Sequence, residues 1–355
     1  MGGDTDRLNS LAAELGVQSG AELDVLLASG EQASAALLAM ALQQMGVEAA
    51  SFCAHQVYIK TTCIHQQARI ESVEPEGLQK ALGQGITPVV TGFQGISENG
   101  RIMTLGRGGS DLTAVAVAAA LSAGECQIYT DIDGVYSADP RIVANAQKIE
   151  SIDLPLMTEY AQAGAGVLQS RCLDLASKES VSLRVLSSYA SQDGTRLVPA
   201  KQVKEASCVI GIAKRSGYQL LQVQDLPERP GLLSYCLAAF KKIGLRYEML
   251  QFSGESLLLS LNGRIDKPLL AEIDLLLKEF DGKAAYQVQA GLTKVTVVGL
   301  GLDAEQGVFL SVCSTLSKEG VDPYLLSFCS TRIEMLLPNF SAERVICALH
   351  EQLLA

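Results

Sequence analysis

A chain of 355 residues, 48% of them apolar, is too long for one ordinary core and has enough apolar material for two or three. Its net charge of −11, with no run of Lys or Arg, argues against nucleic acid or an anionic membrane surface as partner and points to small ligands. Nine cysteines are scattered without a Cys-x-x-Cys, and the three histidines, His55, His65 and His350, lie far apart, so free buried thiols are expected and a metal or disulfide framework is not.

No apolar run approaches the length of about 18 residues that a membrane span needs, and Met1-Gly2-Gly3-Asp4-Thr5-Asp6-Arg7 lacks an apolar leader core, so a cytoplasmic protein is expected. The pattern predicts a short helix from Thr5 to Leu15 and a second opening at Ser29-Gly30-Glu31-Gln32 and stopping at Gly46. A strand at Ala49 to Cys53 follows, then a polar stretch from which Ala68-Arg69-Ile70 enters a short strand. A helix from Pro75-Glu76 to Gly83 leads into a buried strand, Thr87 to Phe93, that ends in a glycine turn.

Thr104-Leu105-Gly106-Arg107-Gly108-Gly109-Ser110-Asp111 then runs into an alanine-rich helix, Leu112 to Ala123. Glycines let backbone approach a ligand, and Ser or Asp is expected to cap the first turn, where free N–H groups and the helix dipole favour phosphate or carboxylate. Cys126 to Thr130 reads as the next strand, followed by helices near 155–165 and 171–179 and a strand Leu183 to Leu186. Helices alternating with short strands imply a mostly parallel sheet covered on both faces, with ligands beyond the carboxyl ends of its strands.

The polar stretch from Asp193 to Glu205 marks a domain boundary. Beyond it come a strand at Gln219–Val223, a Pro-containing turn Asp225–Gly231, a helix Leu232–Lys242, strands at 246–252 and 256–261, a helix 267–280 and a strand 285–289. Lys294 opens a second copy, with a helix at 307–318, strands near 323–328 and 332–338, and a last helix from Ser341, so two βαββαβ units stand in tandem.

Ser29-Gly30-Glu31-Gln32, Leu105 to Asp111, and Tyr129-Thr130-Asp131-Ile132-Asp133-Gly134-Val135-Tyr136-Ser137-Ala138-Asp139-Pro140-Arg141 together resemble the aspartokinases in order and spacing. The resemblance covers essentially the whole chain. It implies a three-layer αβα amino-acid kinase domain over residues 1–198 lacking its first strand, then two ferredoxin-like ACT domains at 199–290 and 291–355. It also implies Mg-ATP and L-aspartate as substrates and 4-phospho-L-aspartate as product, the entry to lysine, threonine and methionine. By the same resemblance Glu31 meets the substrate ammonium, Arg107 its α-carboxylate, and Thr5 lines the site. Ser110 and Asp111 stand where the phosphoryl passes, and Thr130, Asp131, Tyr136 and Arg141 contact the nucleotide. An amino-acid effector on the ACT domains and a homodimer are implied too.

The kinase part of the chain departs from the family in three places. The family's first strand carries a Lys-Phe-Gly-Gly, for which the residues from Met1 on have no counterpart; Gly166 in Gly164-Ala165-Gly166-Val167-Leu168-Gln169-Ser170-Arg171 stands where relatives carry a second lysine; and Thr61-Thr62 stands for Thr-Asp. Positive charge at the phosphates dominates phosphoryl transfer, so impaired catalysis is expected, with strand edges left unpaired where the first strand would lie. The turn Gly301–Gly307 lacks the proline of its counterpart, and Leu326-Ser327-Phe328-Cys329-Ser330 departs from the family's Ile-Ser-Thr-Ser-Glu. Two alternatives therefore stand beside the kinase: a non-catalytic paralogue that binds an amino acid or nucleotide and works in regulation or assembly, and a kinase for another acidic amino acid.

Overall fold

In the computed structural model, which describes residues 3–190, 193–199, 209–227, 230–278, 284–303 and 306–354, the chain divides into two units, each drawn from separate stretches of sequence. The first comprises Met1–Val135, Glu150–Ala161 and Gly166–Val203, the second Tyr136–Ile149, Gln162–Ala165 and Lys204–Ala355. Residues 200–205 of the expected boundary, Glu228 and Arg229 of the first turn, residues 279 and 280 of the helix expected at 267–280, and Ala304 and Glu305 of the second turn lie outside the described residues.

The first unit opens with α1 (Asp4–Glu14), α2 (Ala21–Gln44), β1 (Ala49–Phe52), β2 (Lys60–Thr61), β3 (Ile70–Ser72), α3 (Glu76–Gly83), β4 (Thr87–Val90), β5 (Gln94–Ile96) and β6 (Ile102–Thr104). It continues with α4 (Gly109–Ala120), β7 (Cys126–Thr130), β8 (Ser151–Asp153), α5 (Leu154–Tyr160), α6 (Ser170–Glu179), β9 (Leu183–Ser187) and β10 (Thr195–Val198).

The expected helix start at Ser29 is corrected: α2 already begins at Ala21 and passes straight through Ser29-Gly30-Glu31-Gln32. Ser29 does not cap forward; its hydroxyl donates back to Leu26 O at 2.6 Å. Gly30, a residue that costs a helix interior about 1 kcal/mol, is explained by α1, whose Leu8 Cδ1 lies 3.3 Å from where a Cβ would stand. Leu8, Ala12, Leu23 and Leu27 join the two helices, with Phe93 packed against them. By length and composition α2 is also apolar enough to cross a membrane, with mean hydropathy 1.5 over its most apolar window, which the run-length criterion overlooked. Its buried Asp24 ties it instead into the unit.

β1 and β4 pair in parallel, β7 pairs with β9 and β8 with β10 in parallel, and β9 meets β10 antiparallel. The parallel pairs do not merge into one sheet. β1 and β4 form a two-stranded sheet of their own, and β7 is an edge of the order β7-β9-β10-β8. Val117 and Leu121 of α4 pack on the cluster that includes Phe52 and Val90, so this helix is the common floor of the β1–β4 pair. A third sheet, β3-β2-β5-β6, carries the hairpin that leads into the glycine-rich loop.

In the second unit β11 (Val209–Gln224), α7 (Leu232–Lys242), β12 (Met249–Ser253), β13 (Ser256–Asn262), α8 (Lys267–Lys278) and β14 (Ala285–Gly299) form one repeat. α9 (Gln306–Lys318), β15 (Leu325–Phe328), β16 (Arg332–Pro338) and α10 (Asn339–Leu354) complete the second. All six strands lie in one antiparallel sheet, ordered β12-β13-β11-β14-β16-β15. The two long strands serve both repeats. The half of β11 before Gly217 pairs with the half of β14 after Gly291, and the remaining halves pair with each other. Those glycines bend the strands at φ 90 and φ 76. The second repeat thus takes its fourth strand from residues that precede the first repeat.

Candidate functional site

The site is assembled around Gly92-Phe93-Gln94, the link from β4 to β5. A Cβ on Gly92 would stand 2.9 Å from Ser110 Oγ, so only glycine lets the chain cross the start of α4 this closely. Phe93 N–H donates to Thr113 Oγ1 of α4 at 3.2 Å, and Phe93 O accepts from Leu105 N at 2.9 Å. Gln94, 1% exposed, accepts from Gln32 Nε2 at 3.1 Å and donates to Ala28 O at 3.3 Å. One tripeptide therefore holds α2 beside Glu31, α4 at Ser110, and the loop that carries Arg107. Thr91, just before it, has a buried hydroxyl with no partner among the described residues.

A second tie was not foreseen. Asp24, fully buried on α2, accepts from Thr104 N at 3.0 Å, Thr104 Oγ1 at 2.5 Å, Gln66 N at 3.2 Å and His65 Nδ1 at 2.5 Å. Four donors saturate the carboxylate and offset its loss of water. Asp24, Ala28 and Glu31 follow helical spacing along one face of α2, so the bonds that fix the first two to β5 and β6 also set where Glu31 stands. An acid inside the apolar run Leu23-Asp24-Val25-Leu26-Leu27 was the available signal. Thr5, exposed on α1, follows Asp4, whose Cβ lies 4.0 Å from the Cβ position at Gly30.

The Arg107 loop is held from below. Gly106 and Gly108 adopt φ 79 and φ 68, with Gln66 O at 2.8 Å and Gln169 Cγ at 2.2 Å from their Cβ positions. Arg171 donates to Leu105 O at 2.6 Å and to Ala68 O at 2.9 Å. The expectation that Ser or Asp caps α4 is corrected: left-handed Gly108 is the cap, without a side-chain bond, and Ser110 and Asp111 stand within the first turn. Ser110 is exposed; Asp111 is half-buried, and burial raises its carboxyl above the usual range. Arg107 is exposed and Glu31 half-buried, and neither has a hydrogen-bond or ion-pair partner among the described residues.

Thr130 ends β7 and donates to Asp131 Oδ1 at 2.9 Å, both in the first unit. Tyr136 and Arg141 belong to the second. Arg141, exposed, forks onto Asp139 with Nη2 to Oδ2 at 2.7 Å and Nε to Oδ1 at 3.0 Å, and these bonds hold the Asp139 carboxyl below its usual range. Among the described residues no three His, Cys, Asp or Glu side chains gather as a metal cage. The described cysteines are all free, but only Cys126, Cys172 and Cys236 are buried. Burial, and then the Asp111 charge, pushes the first two up to about 11 and about 12.

The Amino acid kinase family model matches residues 2–187. The aspartate kinase Ask_LysC of Stutzerimonas stutzeri (strain A1501) is 36% identical over 357 residues, a match that covers 99% of this chain and 86% of that protein. The chain belongs to the aspartokinase family. E. coli aspartokinase III in complex with aspartate and ADP, in its R-state, has the same fold, with a TM-score of 0.79 at 26% identity over 99% of this chain and 80% of that one. Its T-state complex with lysine and aspartate gives 0.75 at 27% identity with the same coverage. The α/β architecture expected of an aspartokinase, with a regulatory-type C-terminal half, is thereby established.

Proposed function

We propose that this aspartokinase transfers the γ-phosphoryl group of ATP to the side-chain carboxylate of L-aspartate, giving 4-phospho-L-aspartate and ADP in the cytoplasm. The observation that supports the reading is that Gly92-Phe93-Gln94 meets Ser110, Leu105 and Gln32, the last two being near neighbours in sequence of Arg107 and Glu31, with that acid and guanidinium both unpartnered among the described residues. A zwitterion needs one anion and one cation at fixed separation. Glu31 takes the ammonium, Arg107 forks onto the α-carboxylate, and Thr5 closes the side. What remains free is the β-carboxylate. It attacks phosphorus directly, since an ionised carboxylate has no proton for a general base to remove.

The Ser110 and Asp111 N–H groups in the first turn of α4, with the Ser110 hydroxyl, offer donors to the phosphoryl oxygens, and Asp111 is assigned to the same passage. Thr130, Asp131, Tyr136 and Arg141 are assigned to the nucleotide. Magnesium is assigned with the nucleotide, since such an ion is held mainly by phosphate oxygens and water with one or two carboxylates. The second unit is assigned an amino-acid effector and pairing with a second copy; lysine bound to the E. coli T-state enzyme supports the effector class.

Trapping with hydroxylamine tests the activity. With ATP, magnesium and L-aspartate the purified chain should form the β-hydroxamate, and L-glutamate should give none. Equal yields from both would replace the aspartate assignment with a broader acidic-amino-acid kinase.

A further inference from the structure

His350 lies on α10, the last helix, with no exposed surface, and its Nε2 is 2.9 Å from Ser137 Oγ. Ser137 lies between Tyr136 and Arg141, which the proposed function assigns to nucleotide, and the inference rests on that assignment. Gln147 N–H already donates to Ser137 Oγ at 2.9 Å, so the hydroxyl hydrogen is free to point at Nε2, which leaves the ring proton on Nδ1. Nδ1 is buried and has no partner among the described residues. Burial also lowers the imidazole's affinity for a second proton and keeps it neutral. A buried ring that leaves one nitrogen unsatisfied while bonding a loop hydroxyl with the other is costly as a core filler, and leucine would pack there without an orphan.

The rest of the segment is held by β11 and by the same helix. Ser137 donates its N–H to Gln147 O at 2.8 Å and accepts Ile212 N–H at 2.7 Å. Ala138 and Val143 are buried in one cluster with Val345, Ile346 and Leu349 of α10, and Cys347 Sγ donates to Ile142 O at 3.3 Å. Cys347 and His350, three residues apart, share a helix face. Asp139 in turn holds Arg141 through its fork, so Ser137 is the fixed end of a stiff stretch running to the guanidinium.

We propose that His350 is a positioning residue for the nucleotide: through Ser137 it sets where Tyr136 and Arg141 stand, which makes ATP affinity depend on the helix that closes the second repeat. Titrating ADP into the full chain by calorimetry, alongside initial rates with ATP and aspartate varied separately, tests this. His350→Leu and Ser137→Ala should each weaken ADP binding and raise KM for ATP about five- to tenfold, the size of one neutral hydrogen bond. KM for aspartate should stay within about twofold, the pair together should be no worse than either alone, and His350→Gln should recover part of the loss. Unchanged ADP affinity in a folded His350→Leu, a parallel rise in KM for aspartate, or simple additivity would overturn the proposal. If thermal melts show His350→Leu unfolded, Ser137→Ala, which leaves α10 intact, decides alone. Arg141→Ala separates the two claims: normal ADP affinity in that variant sinks the nucleotide assignment of the segment, whereas reduced affinity there with normal affinity in Ser137→Ala sinks only the role of His350.

Discussion

At the scale of single residues, the side chains proposed for substrate stand out in the sequence because their motifs are local: Glu31 sits in Ser-Gly-Glu-Gln and Arg107 between glycines. Asp24 was not, since its partners at Thr104 and His65 are far away in sequence and only folding brings them within 3.2 Å. Asp111 offers a test with a sign. Its folded carboxyl titrates above the free value, so the folded state is favoured while both forms are protonated and loses that advantage as pH rises through the folded pKa. Asp111→Asn should therefore melt higher than the parent at neutral pH and level with it below the free-carboxyl range, while turnover falls; a pH series of thermal melts checks it. Gly166 sits at φ 58, left-handed and exposed. Gly166→Lys should lower stability by about 1 kcal/mol and raise kcat/KM for ATP by about tenfold if charge near the phosphates is limiting. Steady-state kinetics with varied ATP measures the second effect.

At the scale of elements, the long helices and apolar strands were readable from periodicity, and α7 falls at Leu232–Lys242 as expected. The three-residue strands β5 and β6 were not, because so few residues cannot show an alternation and their pairing is set by Gln94 opposite Thr104. The start of α2 was misplaced for a related reason: Ser-Gly imitates a cap, and only contact with α1 explains the glycine. Asp24 is where α2, β6 and the 64–67 loop are joined, so removing it leaves buried donors unpaired. Asp24→Ala should cost about 2–4 kcal/mol and, in the surviving folded enzyme, raise KM for aspartate with KM for ATP nearly unmoved. Denaturant melts and initial rates read the two parts, and a parallel rise in both KM values would reduce Asp24 to general stability.

At the scale of the whole molecule, the tandem repeat was visible in the element order, but the exchange of strand halves was not, since β11 was read only from Gln219 onward and its first half pairs with a strand far along the chain. The same holds for Tyr136–Ile149, which joins the second unit although its sequence continues the kinase motif. In the proposed function Glu31 reads the ammonium and Arg107 the α-carboxylate of one zwitterion. Succinate, which is aspartate without its ammonium, isolates the first contact. The decisive measurement is the ratio of kcat/KM for L-aspartate to that for succinate in the parent and in Glu31→Gln: a charge-assisted contact predicts that the variant loses on the order of a hundredfold of that preference, and an unchanged ratio would contradict the assignment.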